Sequence, residues 1–284
     1  MLQLLRLFNR GLSTKVNTKY TFDNSVPKIK ISGYVEQYLH MLGLDSLVPI
    51  HHIISITQQY DKYSLIQILH NRQMMKLPYT NIALVNYLDP ETSMDAILHK
   101  TITEQKGGLC WELNGTFQFI LNQLGLKTKM IICDQLTKQS RINQKNGVTE
   151  SITQPEFTSE NPHTAIIVED KWFCDLGFGE YFRNPILMPN MVTDKQSGST
   201  KDGTLIEYNS SNNYYYLKRP DENNRVFLRF VDKPHTISEL FEKAVFYSDD
   251  PNSLWSVWTK RLYESRLVEQ DGDLVFRTKI EKIR

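Results

Sequence analysis

The sequence predicts an α+β protein in which helices come first, strands follow and mixed structure ends the chain. Apolar residues recur at helical spacing through much of the first 126 residues, short apolar runs bounded by turn residues begin near residue 129, and a helical pattern returns after residue 236. With 40% hydrophobic and 23% charged residues, the composition is that of an ordinary globular protein.

Three helices are predicted before the first strand, because apolar side chains spaced three and four apart share one helical face. The apolar positions are Tyr34, Tyr38, Met41 and Leu42 in the first helix, Leu65, Ile68 and Leu69 in the second, and Leu113, Phe117, Ile120, Leu121 and Leu124 in the third. The third helix is expected to begin near Cys110 and to end at Gly125.

Strands are predicted at 129–133, 164–168 and 172–174, the last two joined by a short turn. The stretches 137–160 and 190–213 are poor in large apolar side chains, and the first of them is expected to be a surface loop. Further strands are expected at 214–217 and 226–231. A helix is expected from Ile237 to about Phe246, with Ser238 or Asp232 as its cap.

Charge and cysteine usage exclude several classes of protein. The 33 basic and 32 acidic residues leave a net charge of +1, which gives no general attraction to nucleic acids or membrane surfaces. No apolar run approaches the roughly 18 residues of a membrane-spanning helix. The three cysteines show neither CxxC nor zinc-site spacing, so we expect no disulfide framework and no metal, and a monomer.

Residues 1–30 are predicted to be a targeting extension. Four basic residues precede the first acid, Asp23, and apolar residues share one helical face. The basic residues are Arg6, Arg10, Lys15 and Lys19, and the apolar ones are Leu4, Leu5, Phe8 and Leu12. This pattern is typical of a mitochondrial presequence. A basic N-terminal tail on a cytoplasmic protein is the alternative, and the sequence leaves both open.

The candidate catalytic residues are Cys110, His163 and Asp175. Cys110 follows Gly107 and Gly108 and opens a helix, where the partial positive charge favours a thiolate and free N–H groups can bind an oxyanion. We expect the glycines to allow a sharp turn. A thiol nucleophile needs a base, and the base needs a third group to orient it. A buried structural cysteine is the alternative, and it is the one expected for Cys133 and Cys174.

His163 starts a strand after Pro162, and Asp175 follows the apolar run 172–174, so its carboxylate is expected to be buried and to need a partner such as a histidine ring. The two residues are 12 apart. A two-residue hairpin would put them on opposite faces, whereas a three-residue loop or a bulge puts them on the same face. The alternative is an Asp that caps a strand end and an unrelated surface His.

Residues 106–115, 162–164 and 175–179 resemble the three signature segments of the arylamine N-acetyltransferase family. Residues 77–82 resemble the family's Pro-Phe-Glu-Asn segment, and residues 248–255 resemble its Ser-Pro-x-Ser-x-Phe segment. The resemblance implies an N-terminal helical bundle, a middle β-barrel domain and a C-terminal α/β domain, with a cysteine-protease-like catalytic core. The corresponding ranges are 31–126, 127–212 and 213–284.

The same resemblance implies transfer of acetyl from acetyl-CoA to a small aromatic amine or hydrazine, the chemistry of xenobiotic metabolism. Cys110 would be the acetylated nucleophile, His163 its base and Asp175 the orienting acid. The residues expected to contact substrate are Tyr79, Trp111, Pro162 and Phe178. Each of the three aromatic ones could instead belong to the core.

The chain departs from the family pattern at several points. Lys106 stands where the family has Arg, which removes the planar fork that could pair two-pronged with Glu112. Tyr79 and Thr80 replace Phe-Glu. The His-to-Asp hairpin is shorter and the 137–160 insert longer than usual. The segment from Trp255 to Arg284 is expected to supply about two strands. The shortened C-terminal domain is therefore expected to bind CoA more weakly and to admit more water to the thioester.

Two other functions remain open at the level of sequence. One is a papain-like or transglutaminase-like Cys-His-Asp enzyme that cleaves amides. The other is a non-catalytic descendant that binds a partner or ligand.

Overall fold

The computed structural model describes residues 33–44, 62–86, 93–147, 155–178, 182–189, 203–219, 225–243, 261–271 and 273–282. The extension 1–30 and the segment 248–255 lie outside these residues.

The described helices include all three that apolar spacing predicts. The helices are α1 (Gly33–Met41), α2 (Lys62–Lys76), α3 (Ile82–Val85), α4 (Met94–Leu98) continued by a π-helix (His99–Thr103), α5 (Cys110–Gln123), α6 (Lys138–Lys145) and α7 (Ile237–Lys243). The predicted helices are α1, α2 and α5. Helix α5 begins at Cys110, and Gly125 follows its last turn with φ of +83°, both as expected.

Helix α5 lies at the centre of the described fold. Most of its side chains are buried, including polar ones such as Glu112, Asn114 and Thr116. It packs against two strands of the large sheet and against α1 and α4. Because its first residue is Cys110, this packing holds the candidate nucleophile at the edge of the sheet.

The large sheet has seven strands and is nearly closed, like a barrel. Its strands are β2 (Thr128–Leu136), β3 (Phe157–Val168), β4 (Trp172–Cys174), β5 (Ile186–Leu187), β6 (Leu205–Asn209), β7 (Tyr214–Arg219) and β8 (Arg225–Phe230). Their order is β5-β4-β3-β2-β8-β7-β6, and all described pairings are antiparallel. The end strands β5 and β6 lie beside each other. A core cluster that includes Phe173, Phe182 and Phe230 packs against the sheet.

A three-residue loop joins β3 to β4. Val168 pairs with Trp172, so residues 169–171 form the loop, with Glu169 and Asp170 in left-handed conformation. Ile166 pairs with Cys174, and Asp175 is the residue after Cys174. The side chain of Asp175 therefore lies on the same face of the sheet as every second residue of β3, including His163. This is the arrangement that the spacing of 12 required.

A bulge in β3 lies just before His163. His163 pairs with Cys133 and Thr158 pairs with Gln135, so four residues of β3 stand opposite Asp134 alone. Pro162 lies in this bulge, where its missing N–H is not needed by the ladder. Bulges of this kind re-aim the neighbouring side chain, and here that side chain is the candidate base.

A smaller sheet joins the region before α5 to the C-terminal strands. It has the order β1-β9-β10, with β1 (Tyr79–Thr80), β9 (Arg261–Gln270) and β10 (Asp273–Lys282). Tyr79 pairs with Ser265 and Thr80 with Glu264. The C-terminal segment thus supplies two strands, as expected.

Two expectations about local structure were wrong, the surface loop at 137–160 and the cap of α7. The stretch 137–160 contains α6, which Thr137 caps by accepting a hydrogen bond from the N–H of Ser140 at 3.1 Å. The stretch 190–213, for which no element was predicted, contains β6, whose Ile206 is buried across from Leu217. The cap of α7 is Thr236, neither Ser238 nor Asp232, since its Oγ1 accepts from the N–H of Glu239.

The boundary predicted between residues 212 and 213 falls in the turn between β6 and β7. The large sheet therefore continues across it, and β7 and β8 belong to the same sheet as β2–β6. The three-domain division stays a prediction. None of the described helices is long and apolar enough to cross a membrane.

Candidate active site

Cys110 is the first residue of α5, and three glycines make room for it and for the turn before it. A Cβ on Gly107 would lie 2.1 Å from the carbonyl oxygen of Pro78, and one on Gly108 would lie 2.6 Å from Oε2 of Glu112. Neither Gly107 nor Gly108 has a positive φ, so the backbone angles do not require glycine at these positions, contrary to our expectation. Glycine is required because neighbouring atoms lie too close to leave room for a Cβ. A Cβ on Gly177 would lie 2.4 Å from Cα of Cys110.

Glu112, two residues after Cys110, is fully buried and supports the start of α5. Its Oε2 accepts a hydrogen bond from the N–H of Leu109 at 2.8 Å, and Leu109 immediately precedes the nucleophile. Its Oε1 pairs with Nζ of Lys100 at 2.7 Å. This satisfies both oxygens of a carboxylate that would otherwise be unstable in the core.

The cation that pairs with Glu112 is not the one that the family pattern suggests. Lys106, which stands in the family's Arg position, pairs with Glu104 at 3.1 Å on the exposed surface. Lys100 lies six residues earlier, in the π-helix that continues α4, and its side chain is 19% exposed. No spacing rule relates Lys100 to Glu112, so sequence reasoning missed it.

His163 and Asp175 form a buried pair. Nε2 of His163 lies 2.6 Å from Oδ2 of Asp175, and the two residues are 4% and 1% exposed. Cys110 also acts on the pKa of the His163 ring, so the sulfur lies close to the ring. Since Nε2 faces Asp175, Nδ1 is the nitrogen left for the sulfur. The structure therefore brings all three predicted residues together, in the order nucleophile, base and orienting acid.

The electrostatics of this group favour a charged imidazole. Burial lowers the pKa of His163, but the Asp175 carboxylate and Cys110 more than compensate, and the pKa lies well above its usual range. In contrast, burial raises the pKa values of Cys133 and Cys174 well above the usual range, as expected of structural thiols.

Asn114 joins the nucleophile helix to the other two residues. Its Nδ2 donates to the carbonyl oxygen of Thr164 at 2.8 Å and to Oδ1 of Asp175 at 3.2 Å, and its Oδ1 accepts from the N–H of Leu176 at 2.9 Å. Asn114 lies one helical turn after Cys110. Its hydrogen bonds therefore fix the position of α5 relative to β3 and to the segment after β4. In the sequence, the feature that points to this role of Asn114 is a polar residue at a buried position of the predicted helix.

A second histidine, His70 of α2, lies close to Asp175. His70 is fully buried, and its ring meets the edge of Phe117. Burial lowers the pKa of His70 to about 4, although Asn71 and Asp175 act in the opposite direction. His70 is therefore neutral at physiological pH, and nothing in the sequence distinguished it from the other histidines.

A family model described as N-acetyltransferase matches residues 64–279, which include the whole of the site just described. The chain belongs to the arylamine N-acetyltransferase family. It is therefore a member of an acyltransferase family, and the family acts on small aromatic amines.

Individual members of the family are only distantly similar to this chain. An uncharacterized acetyltransferase of Acanthamoeba polyphaga mimivirus, L280, is 23% identical over 197 residues, which cover 68% of this chain and 84% of that protein. The arylamine N-acetyltransferase of Escherichia coli K12 is 22% identical over 163 residues, which cover 54% of this chain and 53% of the enzyme.

Solved structures of arylamine N-acetyltransferases share the fold. The enzyme from Salmonella typhimurium superposes with a TM-score of 0.63 at 18% identity, over 87% of this chain and 80% of the other. The Mycobacterium marinum enzyme in complex with CoA superposes with a TM-score of 0.59 at 13% identity, over 88% and 87%. At these identities the likeness establishes the fold.

The residues expected to contact the aromatic amine lie around the site but differ in exposure. Phe178 is partly buried, and its ring meets that of His163 edge-on, with centroids 5.2 Å apart. Tyr79 is buried against Tyr263, and Pro162 is buried beside His163. Trp111 is 1% exposed and packs in the core. Contact of these residues with substrate stays a prediction, and Trp111 is the least exposed of the three aromatic ones.

Among the described residues no group of His, Cys, Asp and Glu is arranged to hold a metal ion.

Proposed function

We propose that this arylamine N-acetyltransferase family member transfers an acetyl group from acetyl-CoA to an aromatic amine or hydrazine through an acetyl-Cys110 intermediate. The observation that supports it most strongly is the Cys110–His163–Asp175 group, in which His163 is bonded to Asp175 at 2.6 Å and lies close to the sulfur. The family membership and the CoA complex of a relative support acetyl-CoA as the donor.

In the first half-reaction the Cys110 thiolate attacks the thioester carbonyl of acetyl-CoA. A sulfur–carbon bond forms to Cys110, the bond to the CoA sulfur breaks, and the His163 imidazolium gives its proton to the departing sulfur. N–H groups at the start of α5, which have no acceptor within a helix, are placed to bind the oxygen as it becomes negative. Asp175 holds the His163 ring and stabilises its charge.

In the second half-reaction the amine nitrogen attacks the acetyl-cysteine. His163, now neutral, takes the proton from the amine, the carbon–sulfur bond to Cys110 breaks, and the thiolate and imidazolium are restored. The aromatic side chain of Phe178 beside His163 offers a surface on which the ring of an arylamine can pack. Tyr79 forms a β-bridge with Gly108, two residues before Cys110, and is expected to contact the ring as well.

Intact-mass measurement after mixing with acetyl-CoA tests the proposal. Wild type and Cys133→Ser are expected to gain one acetyl group, and Cys110→Ser and Cys110→Ala are expected to gain none. Adding an arylamine or an arylhydrazine should remove the group and release the N-acetyl product, whereas an aliphatic amine of equal concentration should do so much more slowly. Sequential kinetics without an acetylated protein would exclude the intermediate.

A further inference from the structure

Lys100 holds both ends of the turn that leads to Cys110. Its side chain pairs with Glu112 at 2.7 Å, and Glu112 in turn accepts the N–H of Leu109. Its carbonyl oxygen accepts the N–H of Lys106 at 3.0 Å, just before the two glycines. The eight residues between Lys100 and Leu109 are thus held by Lys100 at their start and by the Glu112 carboxylate at their end.

The local backbone makes this contact possible. Helix α4 continues as a π-helix that contains Lys100, and the segment after it passes through Gln105 at φ of +52°. Such conformations are uncommon for side chains other than Gly, Asn and Asp, and they persist only where surrounding contacts hold them. Local irregularity of this kind is frequent near functional sites.

The charge of Lys100 matters because Glu112 is buried close to the nucleophile. A buried carboxylate without a partner takes up a proton or, if it stays ionised, opposes a second negative charge nearby. Burial raises the pKa of Tyr79, and the charges of Cys110, Asp175 and Glu112 raise it further, so the charge of Glu112 acts on a residue of the candidate site. The Lys100 ammonium offsets that charge and keeps Glu112 in the form that binds the N–H of Leu109.

We propose that Lys100 is a positioning residue for the nucleophile, acting through Glu112 on the start of α5. In the family pattern an Arg stands at the position of Lys106. In this chain Lys100, and not Lys106, pairs with Glu112. The inference rests on the proposed role of Cys110.

Alkylation of Cys110 by iodoacetamide tests this without acetyl-CoA, so the result does not depend on whether acetyl transfer occurs. We expect Lys100→Met to slow alkylation at pH 7.5 about tenfold, because a sulfur displaced from the His163 ring is a weaker nucleophile. Lys100→Arg keeps the charge and should stay within about twofold of wild type. Lys106→Met, the matched control on the exposed lysine, should leave the rate unchanged. Peptide mapping assigns the label to Cys110.

A double-mutant cycle tests whether Lys100 acts through Glu112. Glu112→Gln can still accept the N–H of Leu109, and in that background Lys100→Met should have no further effect on the alkylation rate. An equal loss in both backgrounds would overturn the proposal, as would a Lys100→Met rate within twofold of wild type or an equal loss in Lys106→Met. Thermal unfolding of each variant checks folding, and Lys100→Gln replaces Lys100→Met under the same criteria if the latter does not fold.

Discussion

Replacing Gly177 by alanine places a methyl group against the nucleophile. The new Cβ would lie 2.4 Å from Cα, 2.8 Å from Cβ and 3.2 Å from the carbonyl oxygen of Cys110. Ordinary contact requires at least 3.4 Å, so the segment after Asp175 and the start of α5 must separate by about 1 Å. Asn114 of α5 is joined to this segment by two hydrogen bonds, to Asp175 and Leu176, so this separation cannot occur freely.

Two magnitudes follow from this clash. Overpacking a buried site costs about 1–3 kcal/mol in the free energy of unfolding. A displacement of about 1 Å at the reacting group can reduce the rate about a hundredfold. We therefore expect Gly177→Ala to fold, to lose stability within that range, and to lower kcat/KM for acetyl transfer about a hundredfold.

Gly115→Ala is the matched control, because it adds the same methyl group to a buried glycine of α5. Its Cβ would meet the side chains of Ile237 and Met94 at 3.5 Å, an ordinary contact. We expect unchanged activity and a gain of up to about 1 kcal/mol, since alanine favours a helix over glycine. Urea unfolding and steady-state kinetics measure both variants. If Gly177→Ala keeps more than a third of wild-type kcat/KM, the packing argument is wrong.

The remaining predictions concern charge, packing, pH and targeting. Asp175→Asn keeps the shape of the side chain but removes its charge, and kcat should fall by about three orders of magnitude, while a loss under tenfold would contradict the orienting role. Asn114→Ala leaves several buried groups unpaired and should cost about 3 kcal/mol in urea unfolding, against less than about 0.5 kcal/mol for Asn143→Ala on α6. Burial lowers the pKa of His70 to about 4, so the folded protein favours the neutral ring. The free energy of unfolding therefore has its full value above pH 6.5 and should fall by roughly 3 kcal/mol as the pH falls toward 4. The unfolding free energy of His70→Gln should fall less over this range, and parallel pH curves would refute the assignment. A reporter fused to residues 1–30 should enter mitochondria if they are a presequence, and a diffuse cytosolic signal would identify a plain tail.

Local patterns in the sequence predicted the parts of the fold that depend on local chemistry. Apolar spacing predicted α1, α2 and α5, and the start of α5 at Cys110 followed from the residues around it. Side chains alternate between the two faces of a sheet along a strand. This alternation predicted that a three-residue loop would place His163 and Asp175 on the same face, and the three-residue loop confirmed it. Helix α6 was missed because its sequence is polar almost throughout, although its cap Thr137 was visible in the sequence.

The parts that could not be predicted depend on contacts between distant segments. The pairing of Lys100 with Glu112 requires the π-helix to turn the lysine inward, and no sequence rule used here predicts that turn. The need for Gly107 is set by the carbonyl oxygen of Pro78, about thirty residues away along the chain, and not by its own backbone angles. Asn114 contacts residues 50 and more positions later. Tertiary packing alone gives these residues their roles.

The pairing of β1 with β9 has a consequence for when the protein becomes active during its synthesis. Asn81 donates to the carbonyl oxygen of Arg261 and accepts the N–H of Tyr263, 180 and 182 positions later. The ring of Tyr79, beside the nucleophile, rests on that of Tyr263. At about 5–20 residues per second, a ribosome needs roughly 4–17 s to reach Arg261 after Asp175 has been added. During that time the nascent chain holds Cys110, His163 and Asp175 but not the strand against which Tyr79 packs, so we expect catalytic competence to appear only after β9 has been synthesised.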